Sequence, residues 1–108
     1  MDNFQPGAVV LIAFPFTDAV GQKRRPALIL LDTSDPDVVV ARLTSQPYSI
    51  AFDISLTYGQ EAGLLVPSTA RLHKIATLDK RLVDRQLGHL APSDWQHAIT
   101  VCQQLWTF

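Results

Sequence analysis

What most constrains this chain is how its apolar residues are parcelled into short, β-branched runs, each closed by turn residues. Runs of that length bounded by Gly, Pro, Asp and Ser make strands, because a surface helix needs a longer stretch repeating every 3.6 residues. AVVLIAF (8–14) is the first, opened by Pro6 and Gly7 and closed by Pro15. ALILLD (27–32) and VVVARL (38–43) follow, and the polar link TSDP between them predicts a hairpin. In AFDISL (51–56), Phe52, Ile54 and Leu56 alternate against Asp53 and Ser55, which predicts one buried and one wet face. A fifth strand is expected from Leu65 to Leu72, a short helical turn in TLDKRLVD, and a last short strand in RQLGHL (85–90).

The period changes at the C-terminus. In APSDWQHAITVCQQLWTF the apolar residues Trp95, Ala98, Ile99, Cys102, Leu105 and Trp106 fall on one helical stripe, expected to be core, with Gln96, His97, Gln103 and Gln104 off it. Pro92 suits a first helical turn, and Asp94 puts a carboxylate where the helix dipole favours it. The expected fold is mainly β with α: a small antiparallel, barrel-like sheet with one amphipathic helix packed on it.

With 108 residues there is room for a single domain, residues 1–108, burying roughly two-thirds of the surface its unfolded form exposes. Apolar residues make up 47% and charged residues 18%, which is globular, and a formal net charge of -1 gives no global pull toward nucleic acid. Any anion site is therefore local. Cys102 is the only cysteine and reads as a small buried hydrophobe. MDNFQPG carries no signal-like segment and no apolar stretch approaches the ~20 residues of a membrane helix, so a cytoplasmic setting is expected.

Chemistry is concentrated at strand ends. GQKRRPALILLD (21–32) sets Lys23, Arg24, Arg25 and Pro26 against an apolar run. Pro26 fixes its own backbone and pushes Arg25 toward extended geometry, so a stiff join from loop to strand is expected, with the Arg25 guanidinium aimed. Thr44, Ser45 and Gln46 end the third strand; hairpin pairing would make Arg25 and Thr44 neighbours. A forked guanidinium beside hydroxyls and an amide is a phosphate-sized anion site. Arg71, His73 and Lys74 form a second polar cluster, with Arg71 and His73 on one face and Leu72 in the core. Metal-ligand spacing, a glycine-rich phosphate loop and a nucleophile elbow are all missing, so metallohydrolase, nucleotide-binding and Ser-hydrolase readings have nothing to stand on.

Plainer readings stay open beside these. A Lys-Arg-Arg run is commonly a solvated loop, and Thr44 to Gln46 fits a turn closure. Arg71 fits a strand charge paired with Asp79 or Asp84, and His89 and His97 fit surface or partly buried positions without catalytic duty.

Three segments in order, PGAVVLIAFPFTDAVGQKRRPALILL (6–31), VVVARLTSQ (38–46) and ARLHKIATLDKRLVDRQLGHL (70–90), resemble the MazF/PemK/Kid toxins of bacterial type II toxin-antitoxin systems. The resemblance implies an SH3-like barrel with a C-terminal helix and a homodimer. It also implies metal-independent cleavage of single-stranded RNA, without DNA cleavage, and neutralisation by a cognate antitoxin. Arg25 matches the family's catalytic arginine, Thr44 its strand-end threonine with Ser45 and Gln46 flanking, and Arg71 a further catalytic arginine of the Kid-like branch. That branch has an aspartate where this chain has His73, and an acidic residue is common where Ala8 stands.

Cleaving RNA without a metal employs the adjacent 2'-OH as nucleophile and needs charge stabilisation and two proton transfers. Arg25 suits the first task, with Thr44 orienting a phosphoryl oxygen, and His73, the one imidazole of this set, is the candidate for proton transfer. Lys23, Arg24, Ser45, Gln46 and Lys74 are the expected backbone contacts, and Phe16, Tyr48 or Tyr58 stacking platforms for bases. The rival from another class is a CcdB-type gyrase poison, which shares the barrel and acts through a C-terminal tryptophan; this chain ends LWTF. A catalytically silent binding relative is the third reading.

Overall fold

Alternation and turn chemistry set most strand boundaries in the computed structural model, which describes residues 3–14 and 23–107. In chain order the elements are β1 (Ala8–Phe14), β2 (Lys23–Leu31), β3 (Asp37–Thr44), β4 (Asp53–Ser55), β5 (Thr69–Asp79), β6 (Val83–His89) and α1 (Pro92–Leu105). Short 3-10 turns at Gly59–Ala62 and Lys80–Leu82 complete the set. All strand pairs are antiparallel, in the order β4-β5-β3-β2-β1-β6. This is the six-stranded sheet with a C-terminal helix that the sequence predicts. The Pro15 closure and Phe16 lie outside the described residues, as does the side chain of Lys23.

The sheet's two faces carry separate cores. Val9, Leu28, Ala41, Leu43, Ile54, Ala70 and Leu72 pack on one side with Ala98 and Val101 of α1, while Ala8, Val10, Ile12, Ala27, Ile29, Val38 and Val40 pack on the other. This is the period-two consequence of a sheet covered on both faces. The 3-10 turn after β4 closes on β6: Gly63 has φ +89, and a Cβ there would lie 2.5 Å from the Leu87 carbonyl oxygen. Only glycine tolerates both conditions.

Several expectations need correction. The KRRP stretch is not a join into a strand but part of β2, with Arg25 opposite Ile12 and Pro26 opposite Leu11 on β1. Pro26 is tolerated because the β3 ladder begins only at Ala27, leaving no partner on that side to receive a missing N–H. The fifth strand is displaced from 65–72 to Thr69–Asp79: Leu65 and Val66 are exposed, and the strand runs on through a polar stretch because β3 pairs with it as far as Asp79. Trp106 was expected in the core stripe but caps the helix and is 80% exposed, whereas Val101 is buried in its place. Cys102 is half-buried against the core, and burial pushes its thiol pKa up.

Two buried carboxylates fasten the remaining segments. Lys80 Nζ lies 2.8 Å from Asp32 Oδ1 with both side chains shielded from solvent, and it also donates to Asn3 Oδ1 at 3.1 Å. Asp32 accepts from the backbone N–H groups of Phe4 (2.6 Å) and Ser34 (2.9 Å), so one carboxylate ties the N-terminal segment to the hairpin loop. Asp94, placed by its sequence position in the first helical turn, accepts from the N–H groups of Thr57 (3.0 Å) and Tyr58 (2.8 Å). That bond pair holds the segment after β4 against α1. Among the described residues no helix is long and apolar enough to cross a membrane.

Candidate functional site

Strand register gathers the polar residues onto one end of one sheet face. Ala27 opposes Arg42 at the last pair of the β2–β3 ladder, and Arg25 and Thr44 lie two residues beyond it on their strands. On the other side of β3, Thr44 opposes Thr69 and Arg42 opposes Arg71; on β4, Ser55 opposes Thr69 and Asp53 opposes Arg71. Directly opposed residues share a face. Thr44–Thr69–Ser55 thus form one row across three strands, and Ala27–Arg42–Arg71–Asp53 a second across four. Arg25 and Thr44, expected as neighbours, both line a cleft of about 520 Å³.

That cleft has a cationic and an apolar side. Arg24, Arg25 and Arg85 stand with Thr44, Ser45 and Ser68 on its polar side, and Leu64, Leu65, Val66 and Leu87 form its apolar wall. Arg24 is loosely paired with Asp84 at 3.7 Å, both groups well exposed. The hydroxyl of Thr44, a residue only 9% exposed, accepts from the Gln46 N–H at 3.1 Å. Its Oγ1 is therefore held in place while, among the described residues, no acceptor takes its own proton. The turn-closing reading and the anion-binding reading of Thr44 to Gln46 are thus compatible. Gln46 contributes its backbone, its residue being exposed.

Arg71 has a different status. Its Nε donates to Asp53 Oδ1 at 2.9 Å, Nη2 approaches Oδ2 at 3.5 Å, and Cζ sits 3.6 Å from the centroid of the Tyr48 ring. The partner is therefore Asp53, not Asp79 or Asp84, which pair with Arg81 and Arg24. Asp53 was expected on the wet face of its strand, yet its side chain is wholly shielded from solvent. The three-residue step in the β3–β5 register between Ala41 and Arg42 bulges β5 at residues 72–74 and lets Arg71 fold over β4. Burial works against the Asp53 carboxylate, but the Arg71 hydrogen bond, the Ile50 N–H and the charges of Arg71 and His73 together hold its pKa below the ordinary value. Tyr48, expected as a base platform, covers a guanidinium with its ring and remains 38% exposed.

His73 sits in that bulge, its ring 6.1 Å from Phe52 and its Nδ1 buried with no hydrogen-bond partner among the described residues. Leu72 is fully buried, as expected. Lys74 points elsewhere, into a second cavity of about 460 Å³ shared with Arg25 and Arg42. The structure therefore unites Arg25 with Thr44 and Ser45, and separately unites Arg71, His73 and Tyr48 around Asp53. Arg42, Arg85 and Asp53 were missed from sequence. The readable signal for Arg42 was its place two residues before Thr44, on the same strand face.

Comparison with known proteins agrees with this architecture. Residues 5–105 match the family model described as the PemK-like, MazF-like toxin of type II toxin-antitoxin systems. No curated protein matches the chain. Among solved structures, an endoribonuclease from a mycobacterial species superposes with a TM-score of 0.77 at 19% identity, covering 100% of this chain and 95% of that one. MazF from Deinococcus radiodurans gives 0.76 at 19% identity, with 100% of both chains covered. An endoribonuclease in complex with its cognate antitoxin, from a mycobacterial species, gives 0.71 at 20% identity over 94% of this chain and 93% of that one. At such identities the likeness establishes the fold.

Proposed function

The chain belongs to the PemK-like, MazF-like toxins of type II toxin-antitoxin systems, and from that premise we propose that it is a metal-independent endoribonuclease cleaving single-stranded messenger RNA. The observation that supports this reading is the cleft that Arg25 and Thr44 both line, walled by apolar side chains. In the reaction, the 2'-oxygen bonds to phosphorus as the bond from phosphorus to the 5'-oxygen breaks. A 2',3'-cyclic phosphate and a 5'-OH result. The 2'-OH loses one proton and the departing 5'-oxygen gains one. Arg25 stabilises the charge that accumulates on the phosphoryl oxygens, and Thr44 donates its free hydroxyl proton to one of them. Arginine holds its proton too tightly to serve as a base. His73 is proposed for proton transfer, supported by its unpartnered buried nitrogen beside the Asp53 cluster. Arg71, locked by Asp53 and Tyr48, is proposed to act by fixing the loop over residues 45–52 rather than as a free cation.

RNA is favoured over DNA because the nucleophile is the 2'-OH. Ser45, with Lys23, Arg24 and Gln46, is proposed to contact the RNA backbone. A homodimer in the cytoplasm, neutralised by an antitoxin protein, completes the proposal; the antitoxin rests on the family and on a similar structure solved with its cognate antitoxin.

The test is incubation of the protein and its Arg25→Ala variant with a long single-stranded RNA in excess EDTA, with the cut ends mapped. Discrete cuts ending in 2',3'-cyclic phosphates, lost in the variant, are the expected result. The exposed Trp106 is the feature a gyrase poison would require. No cuts by folded protein, with gyrase inhibition lost on deleting residues 106–108, would replace the ribonuclease reading.

A further inference from the structure

The apolar wall of the Arg25–Thr44 cleft has a crest that the chemistry above does not use. It is formed by Leu65 and Val66, and among the described residues Leu65 is the most exposed large apolar side chain. A single exposed leucine is ordinary on a protein surface. This one differs in how it is held. On its N-terminal side Leu64 is buried in the core, and its N–H donates to the Gly59 carbonyl at 3.0 Å. On its C-terminal side the Ser68 hydroxyl donates to the Val66 carbonyl at 2.9 Å, and the Ser68 carbonyl accepts from the Leu56 N–H at 3.0 Å. Pro67 stiffens the link between those two bonds. A two-residue apolar tip is thus fastened at both ends while the tip itself stands in water.

The tip is also a divide. Leu65, Val66 and Ser68 line the cleft of about 520 Å³ on one side and a cavity of about 270 Å³ on the other, which Leu56, Gly59 and Pro67 also line. Arg24, Arg25 and Arg85 line the same cleft as the tip. Cations beside a stiff apolar ridge, with a hollow behind the ridge, fit a strand whose phosphates lie on the charged side and whose bases straddle the ridge.

We infer that Leu65, supported by Val66, is a wedge that enters between the two bases flanking the scissile phosphate, keeping one in the cleft and turning the next into the smaller cavity. The inference rests on RNA being the ligand of the Arg25–Thr44 cleft, and it names the step that precedes the chemistry there. Displacement at phosphorus needs the 2'-oxygen in line with the departing 5'-oxygen, whereas a stacked strand holds the 2'-oxygen to the side of that line. Opening one base step turns the backbone toward the in-line arrangement, which is a gain in orientation rather than in binding. Apolar side chains, leucine among them, part base steps in this way where proteins kink nucleic acid. Leu65 is therefore a positioning residue, while Arg25 and Thr44 act at the phosphate.

The experiment follows base stacking directly. A panel of single-stranded 2'-O-methyl RNA oligonucleotides, which cannot be cut, carries one 2-aminopurine between every pair of neighbouring bases; this base brightens when it leaves the stack. Brightness and anisotropy are read with the wild type, Leu65→Ser, Leu65→Met and Leu31→Ser, the last removing an exposed leucine that lines neither cavity. Thermal melts verify folding, to which Leu65 contributes little because its side chain stands in water. The wild type, Leu65→Met and Leu31→Ser should brighten the same members of the panel severalfold. Leu65→Ser should bind them within about threefold of the wild type without brightening them, since the lost apolar contact is offset by unstacking that no longer has to occur. On RNA that can be cut, Leu65→Ser should lower kcat about 10- to 100-fold and change KM by less than about threefold. Equal brightening by Leu65→Ser and the wild type would overturn the inference, as would a defect confined to KM, which makes Leu65 an ordinary contact. Cleavage by the wild type without brightening would keep the nuclease and remove the wedge. Leu65-dependent brightening without cleavage would keep the wedge and remove the nuclease. No binding of any RNA would overturn both.

Discussion

Replacing Arg71 by methionine tests whether the Arg71–Asp53 pair is the buried strut that the geometry describes. The substitution preserves much of the side-chain length but leaves the Asp53 carboxylate, which has no solvent exposure, with the Ile50 N–H at 3.1 Å as its remaining described hydrogen bond. Removing one partner of a buried pair costs about 3–5 kcal/mol, because the other charge stays desolvated. Loss of the guanidinium stacked on Tyr48 adds about 0.5–1 kcal/mol. Against a typical domain stability of about 5–15 kcal/mol this is a large fraction. With a urea slope of about 1–3 kcal/mol per molar, the denaturation midpoint at neutral pH should fall by at least about 1 M.

The pH dependence sharpens the test. In the wild type the Asp53 pKa is depressed, so its contribution is present above the unfolded-state pKa and is lost in acid. Without Arg71, burial becomes the dominant influence and raises that pKa. A folded-state pKa above the unfolded one makes stability fall as pH rises between the two, so the variant's deficit should be smaller near pH ~4 than near pH ~7. Pairing Arg71→Met with Asp53→Asn should recover part of the loss, since the buried charge is then removed. A neutral-pH deficit under about 1 kcal/mol, or one that does not change with pH, would refute the argument and make the pair an ordinary solvated one.

Other outcomes follow from named contacts. Lys80→Met strands Asp32 without its cation and should cost about 3–5 kcal/mol, read by urea titration. The Lys80 hydrogen bond leads the influences that hold Asp32 at a pKa of about 2, against desolvation. Its stabilisation is therefore complete above the ordinary aspartate value of 3.8 and should be lost as pH falls toward about 2, seen as a falling melting temperature across that interval. Asp94→Ala removes the acceptor shared by Thr57 and Tyr58, and should destabilise by about 1–3 kcal/mol while selectively accelerating hydrogen exchange at those two amides. Uniform exchange across the sheet would mean the carboxylate does not anchor that segment.

Where expectation and structure part, the cause is a partner strand or a packed neighbour. The first strand, the β2–β3 hairpin, the 3-10 turn at Lys80–Leu82 and the helix were legible because local alternation and punctuation decide them. The run from Leu65 to Leu72 reads as a strand, yet Leu65 is 96% exposed, since β3 supplies ladder partners only from Thr69 onward. Trp106 fitted the helical period, but the helix ends at Leu105 and the ring projects outward. In the site, Arg25 and Thr44 were legible because a hairpin register follows from two adjacent strands and their turn. Arg42 was overlooked inside an apolar run, and Asp53 was read as solvated.

By itself the sequence determined the mainly β class, the C-terminal helix, the family and the gathering of Arg25 and Thr44 at one cleft. Each of these depends on short-range pattern: side-chain period, proline and glycine placement, and one hairpin. Only the tertiary structure decided that Arg71 is held by Asp53 under Tyr48, that Lys80 is buried on Asp32, and that Arg25 links two cavities. Those outcomes turn on desolvation and on contacts between strands far apart in sequence. A charge in the sequence carries no mark of whether water or another side chain will surround it.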